Sequence, residues 1–352
     1  MLDRREFLGV AGLATAALAF ARTAGSIKQE RTVYLGCFGS DLRTGTVDDA
    51  GTLTVTGTVA GVPDASFLAV GDRYLYTTNE QQNGRVTALD RTTNTVLNTR
   101  PTGGASPTHL SVHPGGRHLL TANYGDGSVA VHPLADDGTI GESTDLVRHQ
   151  GTDRDPHAHQ IVTDPTGHWV LAVDLGADSV YVYTLDEDTG KLSQHQQLRL
   201  PTGAGPRHLT FHPDGTRAYV LGELRPEITV AAWDAEAGTL TPGQVVPTAP
   251  DGNFPAEIAA TSDGRFVYAS NRGADTIAAF AVRDDGLELV GSTPTGGEWP
   301  RHLALSPDER LIYVSNQNSG TVTWLPRDPE TGQVSAPAGT AAVPSVGIVA
   351  FV

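Results

Sequence analysis

A repeated unit runs through most of this chain and limits its fold more than any other feature. Five segments, spaced about 45 to 50 residues apart, each carry a tight turn between a short alternating strand and an apolar strand. These turns lie at His113–Gly116, Asp164–Gly167, His212–Gly215, Thr261–Gly264 and Ser306–Glu309. A third strand rich in β-branched residues follows each of them, and a fourth comes after a glycine turn. Four short strands per unit are typical of one blade of a β-propeller.

The number of blades follows from the two ends of the repeated region. A shorter sixth unit runs from Ser66 to Glu80. The C-terminal run Val346–Val352 resembles an inner strand, and Thr32–Gly36 resembles the strand that would follow it. Pairing of these two segments would close the ring and remove an exposed sheet edge. We therefore predict an all-β, seven-bladed β-propeller over residues 26–352, closed by its N- and C-terminal strands, with six and eight blades as the alternatives.

Charge and cysteine content narrow the classes of partner. The formal net charge of −16 and the pI near 5.0 disfavour binding to nucleic acid or to anionic membrane surfaces. A small anionic ligand stays compatible with this charge, because it needs only a local pocket of Arg and His. Cys37 is the only cysteine, so the sequence has no disulfide framework and no cysteine-based metal site. Its apolar surroundings predict a buried strand residue.

Residues 1–25 have the features of an export signal. The paired Arg4 and Arg5 are followed by Phe7-Leu8 and an Ala-rich apolar stretch, and Ala19–Ala21 has the form of a cleavage site. This pattern resembles the twin-arginine signal, which carries folded proteins. An ordinary secretory signal and an uncleaved anchor are the alternatives. We expect a protein exported by the twin-arginine route, periplasmic or extracellular, with no membrane span after processing.

Two positions in each blade should share one mouth of the central channel, namely the eighth residue before the turn glycine and the eighth after it. The first set is Thr108, His159, Arg207, Ala256 and Arg301, and the second is Tyr124, Leu175, Glu223, Arg272 and Gln317. Both sets vary from blade to blade. The neighbouring sets are more uniform: His109, Gln160, His208, Glu257 and His302, then Asn123, Asp174, Gly222, Asn271 and Asn316. Uniform positions suit a scaffold that bridges blades or caps turns, with His208 or Glu257 also reaching the site.

The varied positions define a candidate site at this mouth. They bring together His159, Arg207, Glu223, Arg272 and Arg301, a convergence of polar groups that is expected of a ligand-binding face. For Arg301, an inter-blade salt bridge or a solvated charge is an equally good interpretation.

The other histidines and the common motifs add little. His157 and His159 alternate on one face, but two imidazoles without a third ligand make a poor zinc site. We expect His113, His132, His168 and His212 to lie on the surface. The sequence has no nucleophile elbow, phosphate-binding loop or His-Glu-x-x-His motif. If the site is catalytic, it would then use His, Arg and a carboxylate with water.

A longer block resembles a known family. Pro206–Leu224 is similar to the hallmark segment of the seven-bladed propeller lactonases, a family that includes bacterial 6-phosphogluconolactonases and a fungal muconate-lactonizing cycloisomerase. Further matching blocks are Pro156–His159, Asp174–Asp178, Ser270–Gly273 and Asn123–Tyr124 with Gly127–Ser128. The resemblance extends from Thr32 to Val352, although Tyr34–Phe38 is only loosely like the start of the family. It implies a metal-free active-site group at His159, Arg207, Glu223 and Arg272.

Lactone hydrolysis would give these residues distinct roles. Glu223 would activate water, and Arg207 would stabilise the oxyanion or bind a substrate anion. His159 would pass a proton to the leaving alkoxide, although the roles of Glu223 and His159 could be exchanged. Arg272 would orient the substrate, and Arg301, His157, His208 and Tyr124 are further candidates for binding it.

The sequence thus predicts a monomeric enzyme that hydrolyses a sugar-acid lactone in the manner of a 6-phosphogluconolactonase, a carboxylic ester hydrolase. The export signal departs from this expectation, since phosphogluconolactone is a cytoplasmic compound. A lactone-forming cycloisomerase would use the same residues. A non-catalytic exported binding propeller is the third alternative.

Overall fold

The computed structural model describes residues 30–151 and 153–352, and it contains seven four-stranded antiparallel sheets. Each sheet is one blade, and we number blades 1 to 7 in chain order around the channel. The predicted seven-bladed, all-β fold is confirmed. The export signal predicted for residues 1–25 and the first residues of the predicted domain lie outside the described residues. Within the described ranges, no helix has the length and apolar character needed to cross a membrane.

The strands follow chain order within every blade except the first. Blade 1 consists of β1 (Arg31–Cys37), β2 (Asp41–Val47), β3 (Leu53–Ala60) and the last strand of the chain, β28 (Val346–Phe351). Blade 2 contains β4 (Leu68–Val70), β5 (Tyr74–Asn79), β6 (Arg85–Asp90) and β7 (Thr95–Pro101). Blade 3 contains β8 (Pro107–Val112), β9 (His118–Asn123), β10 (Ser128–Pro133) and β11 (Asp145–Arg148). Blade 4 contains β12 (Ala158–Thr163), β13 (Trp169–Asp174), β14 (Ser179–Asp186) and β15 (Lys191–Arg199).

The remaining three blades have the same order. Blade 5 contains β16 (Pro206–Phe211), β17 (Arg217–Gly222), β18 (Glu227–Asp234) and β19 (Thr239–Pro247). Blade 6 contains β20 (Phe254–Ala260), β21 (Phe266–Arg272), β22 (Thr276–Arg283) and β23 (Gly286–Pro294). Blade 7 contains β24 (Pro300–Leu305), β25 (Leu311–Asn316), β26 (Thr321–Pro326) and β27 (Gly339–Ala342).

The two ends of the chain close the ring, as the sequence predicts. Strand β28 pairs antiparallel with β1, and Tyr34 lies opposite Ala350 in that ladder. Gly36 allows β1 to pack tightly here, because a Cβ at this position would lie 2.5 Å from Cγ2 of Ile348. Cys37 is a free, buried thiol in the same strand, in agreement with the prediction. The inner edge of the first blade is therefore supplied by the last residues of the chain.

The repeated turns connect the first and second strands of their blades at the end opposite the predicted mouth. Gly215 has φ of +71° and donates its N–H to the carbonyl of His212 at 2.9 Å. Glu309 adopts φ of +53° at the equivalent place in blade 7. A left-handed residue is needed there, which explains why glycine recurs in the other turns.

Three histidines expected at the surface are in fact at least partly buried. His113 and His132 are 3% and 0% exposed, and His212 is half-buried. The Nε2 atoms of His113 and His212 each lie 3.0 Å from a turn carbonyl of the next blade, at Gly167 and Gly264. The surface prediction is wrong for these residues because a polar ring can bridge two turns while it is shielded from water. His168 is exposed, as expected.

Buried tyrosines join neighbouring blades through their second strands. Tyr268 donates its hydroxyl to the carbonyl of Gly332 in blade 7 at 2.9 Å, and Tyr313 donates to Gly51 in blade 1 at 2.6 Å. Both side chains are 0% exposed. The ring adds apolar area to the inter-blade core while its hydroxyl keeps a partner.

A β-bulge in several inner strands decides which side chains reach the channel. In β16, Pro206 pairs with Gly222 but His208 pairs with Leu221, so Arg207 is an extra residue. The same irregularity falls at Thr108, His159 and Arg301 in β8, β12 and β24. A regular pleat sends successive side chains to opposite faces, whereas a bulge turns one of them. Arg207 and His208 consequently line the same space.

Candidate active site

The bulges build two levels of side chains in the channel, which we call the upper and lower rings. The upper ring, at the predicted mouth, contains Thr108, His159, Arg207, Ala256 and Arg301. The lower ring, directly below, contains Phe67, His109, His208, Glu257 and His302. Residues at or just after the ends of the second strands surround the upper ring: Arg272 is the last residue of β21, and Glu223 directly follows β17.

The central feature of the mouth is a carboxylate oxygen shared by two arginines. Oε2 of Glu223 lies 2.8 Å from a terminal nitrogen of Arg272 and 3.1 Å from Nε of Arg207. Arg207 is 2% exposed and also donates to the carbonyl of Ala256. Arg272 donates to the carbonyls of Phe254 at 2.8 Å and Pro255 at 3.2 Å. These contacts fix both guanidiniums against the backbone of blade 6.

Burial makes these positive charges electrostatically unfavourable. It lowers the pKa of Arg207 to about 9, and the charges of Arg272 and Arg301 add to the shift. Arg207 therefore remains cationic at neutral pH. Burial also lowers the pKa of Arg272, while Glu223 opposes that shift. Together with Arg301, these two arginines form a concentration of positive charge in a strongly acidic protein.

Arg301 is paired across the mouth. Its terminal nitrogen lies 3.3 Å from Oε2 of Glu80, which follows the second strand of blade 2. Blade 1 separates these partners, so their ion pair spans a blade. The guanidinium also lies 5.1 Å from the ring centre of Phe38, in the loop after β1.

Glu80 and Phe38 were absent from the candidates taken from the sequence. Glu80 occupies in blade 2 the position that Glu223 occupies in blade 5, directly after the second strand. Extending the repeat register into the shorter second unit would have found it. Phe38 has the same relation to β1, but the first unit lacks the turn that set the register.

Tyr124, His157 and His159 line another side of the mouth. The rings of Tyr124 and His157 stack at 4.5 Å, and Nδ1 of His157 contacts the carbonyl of Tyr124 at 2.7 Å. His159 meets Tyr124 edge-on at 5.6 Å and is 4% exposed. Burial and the nearby Arg207 place the pKa of His159 well below its usual range. Its imidazole is therefore neutral near pH 7 and can accept or donate one hydrogen bond.

The lower ring contains a second carboxylate, and this one pairs with imidazoles. Nδ1 of His208 lies 2.8 Å from Oε1 of Glu257, and Nε2 of His302 lies 3.6 Å from Oε2 of the same residue. These contacts join blades 5, 6 and 7, which confirms the bridging role predicted for this column. The same side chains also line the channel, so the column is more than scaffold.

Phe67 closes the channel below the mouth. Its ring centre lies 4.1 Å from that of His109 and 6.1 Å from those of His208 and His302. Phe67 borders a void of about 10 Å³ on the mouth side and a cavity of about 620 Å³ on the other. That cavity reaches the turns at the opposite end, where Gly71 and Gly116 line it. The arginine site thus opens on one face only.

Polar residues at the ends of the second strands serve the scaffold. Asp174 accepts the N–H groups of His157 and Ala177 at 2.7 and 2.8 Å. Asn271 donates to the carbonyl of Thr248 at 3.2 Å. The capping role predicted for this column is confirmed. Among the described residues, no group of three His, Cys, Asp or Glu side chains is arranged to hold a metal ion.

Comparison with known proteins identifies the family. A family model described as "Lactonase, 7-bladed beta-propeller" matches residues 32–351, nearly the whole described chain. The chain belongs to this lactonase family. Its resemblance to the family was evident in the Pro206–Leu224 block, and the match extends that likeness over all seven blades.

Individual relatives and solved structures agree with this assignment. A 6-phosphogluconolactonase of Bacillus subtilis strain 168 is 37% identical over 261 residues, which is 71% of this chain and 74% of the relative. The solved structure of a periplasmic gluconolactonase of Pseudomonas aeruginosa has a TM-score of 0.85 and 30% identity, over 92% of this chain and 99% of that one. A protein structure from Lactobacillus plantarum has a TM-score of 0.87 and 33% identity, over 92% and 100%.

Proposed function

We propose that this protein hydrolyses a sugar-acid lactone at the mouth of its channel, as a carboxylic ester hydrolase similar to the 6-phosphogluconolactonases. The observation that carries the proposal is the Glu223 carboxylate held between Arg207 and Arg272, with His159 on the same mouth. Membership of the lactonase family and the names of its relatives support the same chemistry. The site would need no metal or cofactor.

The geometry suggests how the reaction would start. Both ion pairs of Glu223 end on Oε2, which leaves Oε1 for a water molecule. Glu223 would take a proton from that water as its oxygen attacks the lactone carbonyl carbon. Arg207 would stabilise the negative charge that develops on the carbonyl oxygen. The ring C–O bond then breaks, and the leaving oxygen must receive a proton.

Further residues would hold the substrate. Arg272 and Arg301 provide the charge to orient an acidic group, such as a phosphate, if the lactone carries one. His159 would hydrogen-bond the ring oxygen, while Tyr124 and His157 provide an aromatic wall. His208 would contact the substrate from below, because it lines a void beneath the mouth together with Arg207.

Proton release from purified protein tests this function. We expect hydrolysis of gluconolactone or 6-phosphogluconolactone above the spontaneous rate, and a loss of about 10²-fold or more in kcat for Glu223→Gln and Arg207→Ala. Glu288→Gln and Arg283→Ala are matched controls, because that exposed ion pair joins the third and outer strands of blade 6. Full activity of Glu223→Gln would remove the assigned base. Absence of turnover on every lactone would favour the cycloisomerase or the binding propeller.

We further propose export by the twin-arginine route, and function as a monomer outside the cytoplasm. The Arg4-Arg5 pair and the apolar stretch after it support export. A gluconolactonase named as periplasmic is also among the similar structures. An exported enzyme would meet an unphosphorylated sugar lactone more readily than a phosphorylated one. Retention of the chain in the cytoplasmic fraction of its native host would contradict this proposal.

A further inference from the structure

The His208–Glu257 pair has the form of an acid–base dyad. Nδ1 of His208 meets Oε1 of Glu257 at 2.8 Å, and the same oxygen accepts the N–H of Ile258 at 3.1 Å. The N–H of Glu257 donates to Oγ of Ser270 at 3.0 Å, which fixes the backbone beneath the carboxylate. A carboxylate on one ring nitrogen orients the imidazole and leaves the other nitrogen for chemistry.

The second nitrogen of this imidazole is unused by the fold. Nε2 of His208 is buried and has no hydrogen-bond partner within the described chain. A polar atom shielded from water without a partner is unfavourable, so a ligand or an ordered water is expected beside it. A void of about 10 Å³ adjoins His208 and is also lined by Arg207 and Arg301 of the mouth. It is the size of about one water molecule. The free nitrogen therefore borders the floor of the substrate site.

The surroundings favour the uncharged form of the pair. Burial lowers the pKa of His208 well below its usual range, and the charges of Arg207, Arg301 and Arg272 add to this effect. Burial raises the pKa of Glu257, although His302 and Arg207 oppose the shift. Both effects disfavour a carboxylate–imidazolium ion pair. When the pair carries an additional proton, they favour its placement on the Glu257 carboxyl, from which it can pass through the imidazole.

We infer that Glu257 and His208 together supply the proton that the leaving oxygen of the lactone receives. This assignment rests on the proposed lactone hydrolysis. As the ring C–O bond breaks, its electron pair stays on oxygen, and that oxygen takes the proton from Nε2 of His208. Nδ1 takes the carboxyl proton of Glu257 in the same step. The imidazole ends neutral in its other tautomer, and Glu257 ends as a carboxylate. The new carboxylic acid of the product, or solvent, returns a proton to it.

His159 is less well suited to this step. Its ring centre lies 5.0 Å from that of His208, and its Nδ1 likewise lacks a hydrogen-bond partner among the described residues. Within the described part of the chain, no carboxyl group is hydrogen-bonded to the His159 ring as Glu257 is to His208. The His159 ring meets Tyr124 edge-on, and its backbone carbonyl accepts from Thr108. His159 would orient the substrate, whereas His208 has a proton source behind it.

A pair of matched substrates tests the inference. Gluconolactone expels an alkoxide, which needs a proton as it leaves. The corresponding sugar thiolactone, with sulfur in place of the ring oxygen, expels a thiolate that is stable without one. We expect Glu257→Gln and His208→Gln to lower kcat on gluconolactone by about 10²-fold and to change kcat on the thiolactone less than about threefold. Glu223→Gln, by contrast, should lower both rates, because both substrates need activated water.

Controls separate this role from a structural one. His212→Gln replaces a half-buried imidazole in a turn at the opposite end of the blade, and it should leave both rates unchanged. Equal losses on the two substrates in Glu257→Gln would assign the dyad a structural role and overturn the inference. Full retention of both rates in Glu257→Gln would also overturn the inference.

A measurement on the wild-type protein tests the inference independently of whether the variants fold. With a proton donor present, its kcat should depend only weakly on the basicity of the leaving group across a series of lactones. A steep dependence in the wild type would contradict the inference even if the variants fail to fold. Inactivity toward every lactone would remove the proposed function and this inference together.

Discussion

At the scale of single residues, the mouth is defined by how its charges are distributed among three arginines and two carboxylates. Glu223 binds two guanidiniums through one oxygen, and Glu80 binds the third. The formal balance of these five groups is +1, the difference between three positive and two negative charges. Glu80 therefore limits how strongly the site attracts an anion, although it lies outside the chemistry proposed for Glu223.

Replacement of Glu80 by glutamine should change substrate preference. The balance of the five groups would rise to +2, and Arg301 would lose its ionic partner. We expect the ratio of kcat/KM for 6-phosphogluconolactone to that for gluconolactone to rise about tenfold, equivalent to about 1.4 kcal/mol. Steady-state kinetics on the two lactones would measure it, with Glu288→Gln as the control. An unchanged ratio would show that Arg301 does not contact the phosphate.

The sequence located much of this site because repeat register gives position around the ring. It brought His159, Arg207, Glu223 and Arg272 to one mouth, where the structure also places them. The sequence could not predict the ion-pair partners of these side chains. The Arg301–Glu80 contact, for example, joins residues 221 positions apart across an intervening blade. Their assignment to catalysis and binding stays a prediction until variants are measured.

At the scale of strands, the bulge at Arg207 is the feature that pattern alone did not supply. Strict alternation would send Arg207 and His208 to opposite faces. The uniformity of the second column between blades predicted a scaffold, with His208 or Glu257 also reaching the site. The extra residue in β16 turns both side chains into the channel. Hydrophobic periodicity has a period of two and does not report such an insertion.

The closing strand should be a sensitive point for stability. Ile348 lies in β28 with 3% exposure, and it packs against Gly36 of β1. We expect Ile348→Ala to lower the free energy of unfolding by about 2–5 kcal/mol, because it leaves a cavity where the two ends of the chain meet. Leu289→Ala on the outer strand of blade 6, at 55% exposure, is the matched control and should change it by less than about 0.5 kcal/mol. Denaturant unfolding of both variants would decide. Similar small losses would mean that the closure adds little.

At the scale of the whole molecule, the seven-bladed ring was predictable because each blade repeats one pattern of turns and strands. The irregular first and second blades were harder, since β4 has only three residues and β28 comes from the far end of the chain. Closure of the ring by the two ends of the chain could still be predicted, because an unpaired strand edge is unfavourable.

Burial of neutral histidines should make the ring sensitive to acid. The pKa values of His109, His159 and His208 lie well below the usual range, and that of His302 falls to about 4, mainly through burial. An unfolded histidine titrates near 6.5, so below that pH the unfolded chain binds more protons than the folded one. The stabilisation that comes from keeping these histidines neutral is complete above about pH 6.5. It is lost as the pH falls toward their pKa values in the folded protein.

The expected slope is up to about 1.4 kcal/mol per pH unit for each histidine. The raised pKa of Glu257 acts in the opposite direction, because the folded carboxyl holds its proton to higher pH than the unfolded one. Denaturant midpoints measured from pH 7 to pH 5 should therefore decrease, and His302→Gln should make the decrease shallower. Denaturant midpoints that stay constant from pH 7 to pH 5 would indicate that the histidines of the two rings can be protonated without destabilising the folded protein.

Phe67 has a consequence for how the enzyme works among its surroundings. Because this side chain closes the channel between the arginine site and the cavity below, the site is a dead end rather than a passage. An incoming lactone and the departing hydroxy acid must pass through the same opening. The acid leaves as an anion, and three guanidinium groups near that opening attract it. Accumulated product would therefore slow the next turnover, and sustained flux would depend on how quickly the surroundings remove the acid.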